Sequence, residues 1–251
     1  MYQIFAVWIP QKVCENLIVD IKESGLVNTD TNWYYRAKVA AVIRKLKLHP
    51  NIGLLVDVGS GSGFFGSEIA KVKRVDKKVF IDPGYSTSPP INLQNSEWFV
   101  ECPHLSGDVY LFIDVLEHVD EDVNLLKHYV NEASDDAIFV VSVPAFSFLW
   151  SKHDNFLEHK RRYTKTELEK IATLAGLSIV SSGYLFSSVF PLVYLVRLFN
   201  KIASDKKLSS DMREYPYFVN LTLRLLCQLE HNYFANKYFG TSVILSGQKS
   251  R

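Results

Sequence analysis

Cysteine is scarce in this chain: Cys14, Cys102 and Cys227 are far apart in 251 residues and form no CxxC pair. A disulfide framework is therefore not expected, and a reducing, cytoplasmic location fits. Charge of one sign is also lacking. The formal net charge is +1, which argues against a large phosphate footprint, so a nucleic-acid partner is not expected. Only Lys160-Arg161-Arg162 is locally basic. No apolar run reaches the roughly 18–20 residues that span a bilayer. The nearest, residues 185–199, is interrupted by Ser187, Ser188, Pro191 and Arg197, so no transmembrane segment is expected. The first ten residues have neither a basic stretch nor a small-residue cleavage pattern, so no signal peptide is expected. There is no internal repeat and no low-complexity tract. What remains is 47% hydrophobic and 22% charged residues, the composition of an ordinary globular domain, at a length that suits one large domain or one domain with a sizeable insertion.

Hydrophobic patterning predicts strands over residues 54–58, 78–82, 97–101, 109–114, 137–143, 177–185 and 241–246. Helices fall between them. One spans 63–72. One is expected to start at Asp120 as N-cap, with Leu126, Tyr129, Val130 and Ala133 as its apolar stripe. A third has both ends marked. Thr164 and Glu167 form a capping box, Leu168, Ile171, Ala172 and Ala175 face inward, and Gly176 stops it. Strands alternating with helices imply an α/β fold with a mostly parallel, seven-stranded sheet covered on both faces. Between the last two strands lie two further helical stretches, 189–202 and 217–234, joined by a polar segment, 204–214. So long an interruption suits a use such as a lid. The domain limits expected are an N-terminal helical extension, 1–32, and a main domain, 33–251, with a helical insertion at 188–238.

The first chemical signal is Asp57-Val58-Gly59-Ser60-Gly61-Ser62-Gly63, leaving a predicted strand and entering a predicted helix. Alternate glycines let the backbone turn sharply and approach a ligand. Asp82 ends the next strand, where a nucleotide-binding unit carries the carboxylate that accepts from ribose hydroxyls. Gly61-x-Gly63-x-x-Gly66 also satisfies the dinucleotide pattern. Asp57 decides between them, because an acid before the first glycine repels a pyrophosphate and suits a cationic or amine-bearing ligand. The stretch resembles motif I of the class I S-adenosylmethionine-dependent methyltransferases, and the resemblance extends over residues 33–247. It implies a Rossmann-like fold, S-adenosyl-L-methionine as cofactor, Asp57 orienting the methionine amino group, and Asp82 on the ribose. The cofactor-binding set expected is Asp57, Gly59, Ser60, Gly61, Gly63, Asp82 and Asp114.

Asp114-Val115-Leu116-Glu117-His118 follows the fourth strand, and strand C-terminal ends face the ligand crevice in such sheets. Its residues read as a structural carboxylate–histidine network, as a general base at His118, or as a metal site. The segment is similar to the Glu-x-x-Glu-His motif of ubiquinone-pathway O-methyltransferases and small-RNA 2′-O-methyltransferases, which implies a divalent ion, with His159 near it. Here Asp114 replaces the first Glu, and its shorter side chain argues against that ion. A divalent metal on Asp114, Glu117, His118 and His159 is therefore not expected.

After the fifth strand come Leu149-Trp150-Ser151-Lys152-His153-Asp154 and His159-Lys160-Arg161-Arg162-Tyr163-Thr164. With Trp33-Tyr34-Tyr35-Arg36 and Phe239-Gly240-Thr241-Ser242 they resemble a bacterial methyltransferase group of largely unassigned substrates. His118 and His153 are expected as proton acceptors. Trp150, His159, Arg162 and Tyr163 are expected to bind the acceptor, Arg161 or Arg162 pairing with a phosphate or carboxylate; the bland alternative is arginines paired to internal acids and a core-filling Trp150. The helix at 189–202 is apolar nearly all round, which predicts burial, with peripheral membrane contact as the alternative. The activity implied is methyl transfer to an oxygen or nitrogen of a small or lipid- or glycan-linked acceptor. Two rivals are an NAD(P)-dependent oxidoreductase using the Gly61–Gly66 pattern and a non-catalytic binding module of the same fold.

Overall fold

Residues 27–86, 94–101, 103–202, 210, 212–233 and 238–250 are described by a computed structural model. Cys14, Cys102, residues 204–209 and 211 of the polar joint 204–214, and most of the expected N-terminal extension lie outside these residues.

Seven strands form one sheet: β1 (Asn51–Val58), β2 (Arg74–Ile81), β3 (Ser96–Phe99), β4 (Val109–Ile113), β5 (Ile138–Pro144), β6 (Leu177–Leu185) and β7 (Ser242–Lys249). Their spatial order is β3-β2-β1-β4-β5-β7-β6. All pairings are parallel except those of β7, which runs antiparallel to β5 and β6. The most apolar runs, VYLFI of β4 and IFVVSVP of β5, are buried along their whole length at the sheet centre, as strands covered on both faces must be. One face carries α3 (Asp122–Glu132) and α5 (Lys165–Leu174), whose Leu126, Tyr129, Leu168 and Ala172 pack on Val56, Phe112 and Phe139. The other face carries α1 (Trp33–Lys45) and α2 (Phe64–Val72), with Ala37, Val42, Phe65 and Ile69 packed on Leu55, Leu111 and Val140.

Strand and helix identities match the sequence reading, while some ends differ for physical reasons. β2 begins at Arg74 rather than 78, because its charged half, Arg74–Lys77, is largely exposed and carries no hydrophobic signal. The capping box of Thr164 and Glu167 is present. Asp120 does not cap α3. Glu121 holds that position without a side-chain bond, and Asp120 instead pairs with Lys160 and gives its carbonyl to Arg161.

The insertion supplies α6 (Phe190–Ile202) and α7 (Tyr217–Tyr233). Here the expectation of burial is corrected. Leu192, Leu195, Val196, Leu198 and Phe199 of α6 are exposed, and only its inward side, with Val193, meets the domain. α7 packs on α1 through Cys227, fully buried, and Leu223. Burial pushes the Cys227 thiol up to about 12, so it is an inert core residue. Among the described residues no helix is long and apolar enough to cross a membrane.

The return from α7 to β7 passes a tight point. A Cβ on Gly240 would lie 2.3 Å from the Leu185 carbonyl oxygen and 2.8 Å from Tyr184 Cβ. Backbone cannot yield as a side-chain tip can, so Gly240→Ala is expected to cost about 1–3 kcal/mol, read as a lower urea midpoint. An unchanged midpoint would mean that the two segments do not touch.

Candidate active site

β1 and β4 are neighbours whose onward connections leave in opposite directions, to β2 and to β5. This makes the gap beyond their C-terminal ends the topological switch point, where open α/β sheets bind ligands.

The glycine loop caps β1 there. Gly59, Gly61 and Gly63 have φ of 63°, 50° and 72°, left-handed values that side chains resist. At Gly59 space is short as well: a Cβ would meet Val115 Cγ2 at 2.6 Å. Gly63 and Gly66 serve packing, since a Cβ on either would come within 2.7 Å of the Trp98 or Phe80 ring. The loop is strapped to β2. The Gly59 N–H donates to the Ile81 carbonyl at 2.8 Å, and the Gly61 and Gly84 N–H groups donate to opposite oxygens of Asp82 at 2.9 and 2.8 Å. Ser60 Oγ lies 2.9 Å from the Tyr85 hydroxyl, which also meets the Gly61 carbonyl. Asp82 is fully buried; burial pushes its carboxyl up and the two backbone donors pull against that. Each carboxylate oxygen has a second lone pair beyond the one used. Asp57 sits beneath the loop and accepts the Gly66 N–H at 2.9 Å.

Asp114, at the end of β4, adopts φ 57°, strained for a non-glycine residue. The fully buried Lys38 of α1 pairs with its carboxylate and donates to the Tyr34 hydroxyl at 2.6 Å. Burial would lower the Lys38 ammonium, but Asp114 and Tyr34 outweigh it and hold the charge firmly on. Nothing in the sequence marked Lys38. A lysine on an amphipathic helix reads as solvent-facing, and its partner is 76 residues away.

Beside Asp114 opens a cavity of about 230 Å³. Trp33, Tyr34, Tyr35 and Phe65 wall one side, Val189, Val193, Arg197, Met212 and Tyr215 another, and Asp114, Glu117, His118, His153, His159 and Arg162 form its polar part. His118 and His153, the expected proton acceptors, both line it, as does His159. The His118 and His159 ring centroids are 4.7 Å apart, and those of His153 and His159 6.4 Å. His159 is aimed by Asp154, whose Oδ1 lies 2.9 Å from Nδ1. Asp154 is fully buried and also accepts from Arg162 Nε at 2.6 Å and Nη2 at 3.0 Å. Burial alone would raise its carboxyl, but His159 and Arg162 hold it well below the usual carboxylate range. Nothing local in the sequence gives Asp154 a role; the missing signal is a fold that turns residues 154, 159 and 162 onto one another.

Three expectations change. Trp150 lies outside the cavity lining and donates from Nε1 to Asn155 at 2.9 Å. Tyr163 is buried in the core, its hydroxyl 2.9 Å from the Leu116 carbonyl and 3.0 Å from Asp122. The arginines pair with internal acids, Arg161 with Asp122 and Arg162 with Asp154. Arg162 thus reaches the cavity edge as a brace for Asp154 rather than an open anion clamp.

No protein-family model matches the chain, and no curated protein matches it in sequence. Solved structures do resemble it. A chain from the complex of the Haloferax volcanii Trm112 methyltransferase activator with a protein assigned as a methyltransferase gives a TM-score of 0.55 at 12% identity, covering 94% of both chains. The [4+2]-cyclase SpnF gives 0.55 at 14% identity, over 86% of this chain and 81% of its own. An S-adenosylmethionine-dependent methyltransferase of Archaeoglobus fulgidus gives 0.51 at 13% identity, over 84% and 92%. At these identities the likeness is one of fold. The strand order agrees with it, since the antiparallel β7 between β5 and β6 departs from the 3-2-1-4-5-6 order of dinucleotide-binding sheets. The chain has the seven-stranded, Rossmann-like fold of the S-adenosylmethionine-dependent methyltransferases.

Proposed function

We propose that this protein is an S-adenosylmethionine-dependent methyltransferase acting on an oxygen or nitrogen of a small or lipid- or glycan-linked acceptor. The observation that carries the reading is the meeting, at the β1/β4 switch point, of the strapped glycine loop, Asp82 and Asp114 with a cavity walled by aromatic rings and histidines. The loop and the remaining lone pairs of Asp82 suit a nucleoside with ribose hydroxyls. The buried carboxylate of Asp57 and that of Asp114 suit a ligand bearing an amine and a sulfonium. The cofactor supplies an electrophilic methyl on a good leaving group, so this chain's contribution is alignment and exclusion of water. Trp33, Tyr34, Tyr35 and Phe65 close one side of the cavity. His118 or His153 takes the proton that the acceptor sheds as its lone pair forms the new bond to carbon. The exposed apolar side of α6, whose inward side walls the cavity, supports an acceptor carried on a lipid and peripheral contact with a membrane surface.

Calorimetric titration with S-adenosylhomocysteine tests the cofactor. The wild type is expected to bind it with micromolar affinity and not to bind NADH. Asp82→Ala is expected to bind about 10–100-fold more weakly, the equivalent of one or two charge-assisted hydrogen bonds. Asp82 also fastens Gly61 and Gly84, so a melting curve of Asp82→Ala, taken beside the titration, separates lost ligand contact from loop collapse. Absence of binding in the wild type would overturn the reading in favour of a non-catalytic binding module of the same fold.

A further inference from the structure

The insertion helix α6 is amphipathic in the opposite sense to an ordinary surface helix. Its outward residues Leu192, Leu195, Val196, Leu198 and Phe199 are exposed, whereas a helix packed on a globular domain turns its polar face to water. Arg197 is the one charged residue between 190 and 199, and it lines the cavity. The cause is spacing. Val189, Val193 and Arg197 stand four apart, so the helix presents them as one stripe, and all three belong to the cavity wall. The Arg197 Nε is closed off from solvent. Its own helix offers it no acid, since the positions three and four away are Val193, Tyr194, Asn200 and Lys201. The arginines expected from the sequence to pair with an anion are engaged by acids of the protein, Arg161 by Asp122 and Arg162 by Asp154.

We propose that Arg197 holds the anionic head, a phosphate or a carboxylate, of an amphiphilic acceptor. The proposal names the acceptor of the methyltransferase reading and rests on that reading. A guanidinium carries five N–H donors in a planar fork, more than one protein partner occupies, and the fork meets two oxygens of such a head at once. Taking a cation out of water costs free energy that a bound anion offsets, which gives the inward charge a use. Apolar groups adjoin it. Val189, Val193 and Met212 line the same wall and suit the hydrocarbon next to the head. The bare outer side of the same helix suits the lipid surface from which such a molecule comes. His118 and His153 keep their proposed part at the nucleophile, because Arg197 comes from the insertion and not from their segments.

Octyl phosphate and octanoate are the probes, titrated calorimetrically below their micelle concentrations, with neutral octyl glucoside and inorganic phosphate beside them. The wild type is expected to take up one equivalent of at least one of the two anionic amphiphiles, about 10-fold or more tightly than octyl glucoside or inorganic phosphate. Arg197→Gln is expected to weaken that binding about 10–100-fold and to leave octyl glucoside unchanged. Arg197→Lys, which keeps the charge and loses the fork, is expected to fall between. Arg74→Gln, which removes an exposed arginine of β2 paired with Asp76, is expected to bind like the wild type. Melting curves establish that each variant is folded; should Arg197→Gln fail to fold, Arg197→Lys decides. Anionic amphiphiles bound no better than octyl glucoside by the wild type, or equally well by Arg197→Gln, would overturn the assignment. Inorganic phosphate bound as tightly as octyl phosphate would overturn its amphiphilic part and point to a small, free phosphate compound. Titration of the same wild-type sample with S-adenosylhomocysteine keeps the two readings distinct: lost anion preference with that binding intact strikes Arg197 alone, and lost S-adenosylhomocysteine binding strikes the methyltransferase reading.

Discussion

Asp154→Ala is expected to destabilise the protein by about 3–5 kcal/mol at neutral pH, the usual cost of removing one partner of a buried ion pair. The side chain, itself fully buried, accepts from Arg162, His159 and the Ser151 N–H and hydroxyl. Truncation would leave the Arg162 guanidinium, 7% exposed, with the Ala145 carbonyl at 2.9 Å as its one bonded acceptor among the described residues. It would also unfasten α4 (Lys152–Phe156), whose capping box uses the same carboxylate. The pH dependence has a definite sign. The folded-state pKa of Asp154 lies below its ordinary value, so its contribution is complete above the unfolded pKa of about 3.9 and declines as pH falls below it. Urea unfolding of wild type and variant should therefore differ by a constant amount from pH 7 down to about pH 4 and begin to narrow only below that. A difference below about 1 kcal/mol at pH 7 would mean that Arg162 finds another partner.

Asp57→Asn should act in the opposite direction and stabilise the protein above neutral pH. Burial pushes the Asp57 carboxyl up to about 7; the Gly66 N–H opposes the rise and the neighbouring Asp82 adds to it. The folded state therefore holds the proton more tightly than the unfolded chain. Stability falls as pH climbs from about 4 to about 7 and is then level, the penalty reaching at most ~4 kcal/mol for a shift of about three units. Asparagine fits the same space, can accept the Gly66 N–H and carries no charge. Its gain is expected to be largest at pH 8 and negligible at pH 4, by urea unfolding at both. The same variant should bind S-adenosylhomocysteine more weakly, since an acid kept at the expense of stability marks a position held for function. Equal stability of the two proteins at pH 8 would mean that Asp57 is not desolvated.

Much of the architecture was legible in the chain because it rests on short-range rules. Short apolar runs rich in β-branched and aromatic residues, such as 109–113 and 138–144, read as strands covered on both faces. Thr164 with Glu167 caps a helix whatever surrounds it. Alternate glycines after Asp57 are readable because the left-handed backbone they supply is a local property. His118 could be named as a candidate because it closely follows a strand end, where such sheets place their ligands, and His153 and His159 because their segments resemble those of a methyltransferase group.

The exchange of charge partners was decided only by the tertiary structure. Whether Arg162 meets a substrate anion or Asp154, whether Asp114 stands open or is held by Lys38, and whether His159 joins Glu117 and His118 depend on chain segments tens of residues apart. A sequence window contains one partner and not the other, and the burial that makes each pairing strong exists only once both layers have closed on the sheet. The helix α6 shows the same limit. Its composition predicts burial, yet the fold leaves one side bare, because the domain behind it covers a single face. The sequence by itself therefore determined the strands, the helices and the nucleotide-binding loop, which local sterics and periodicity specify. The tertiary structure decided which carboxylate serves which cation at the cavity, since electrostatic partnership depends on distance in space.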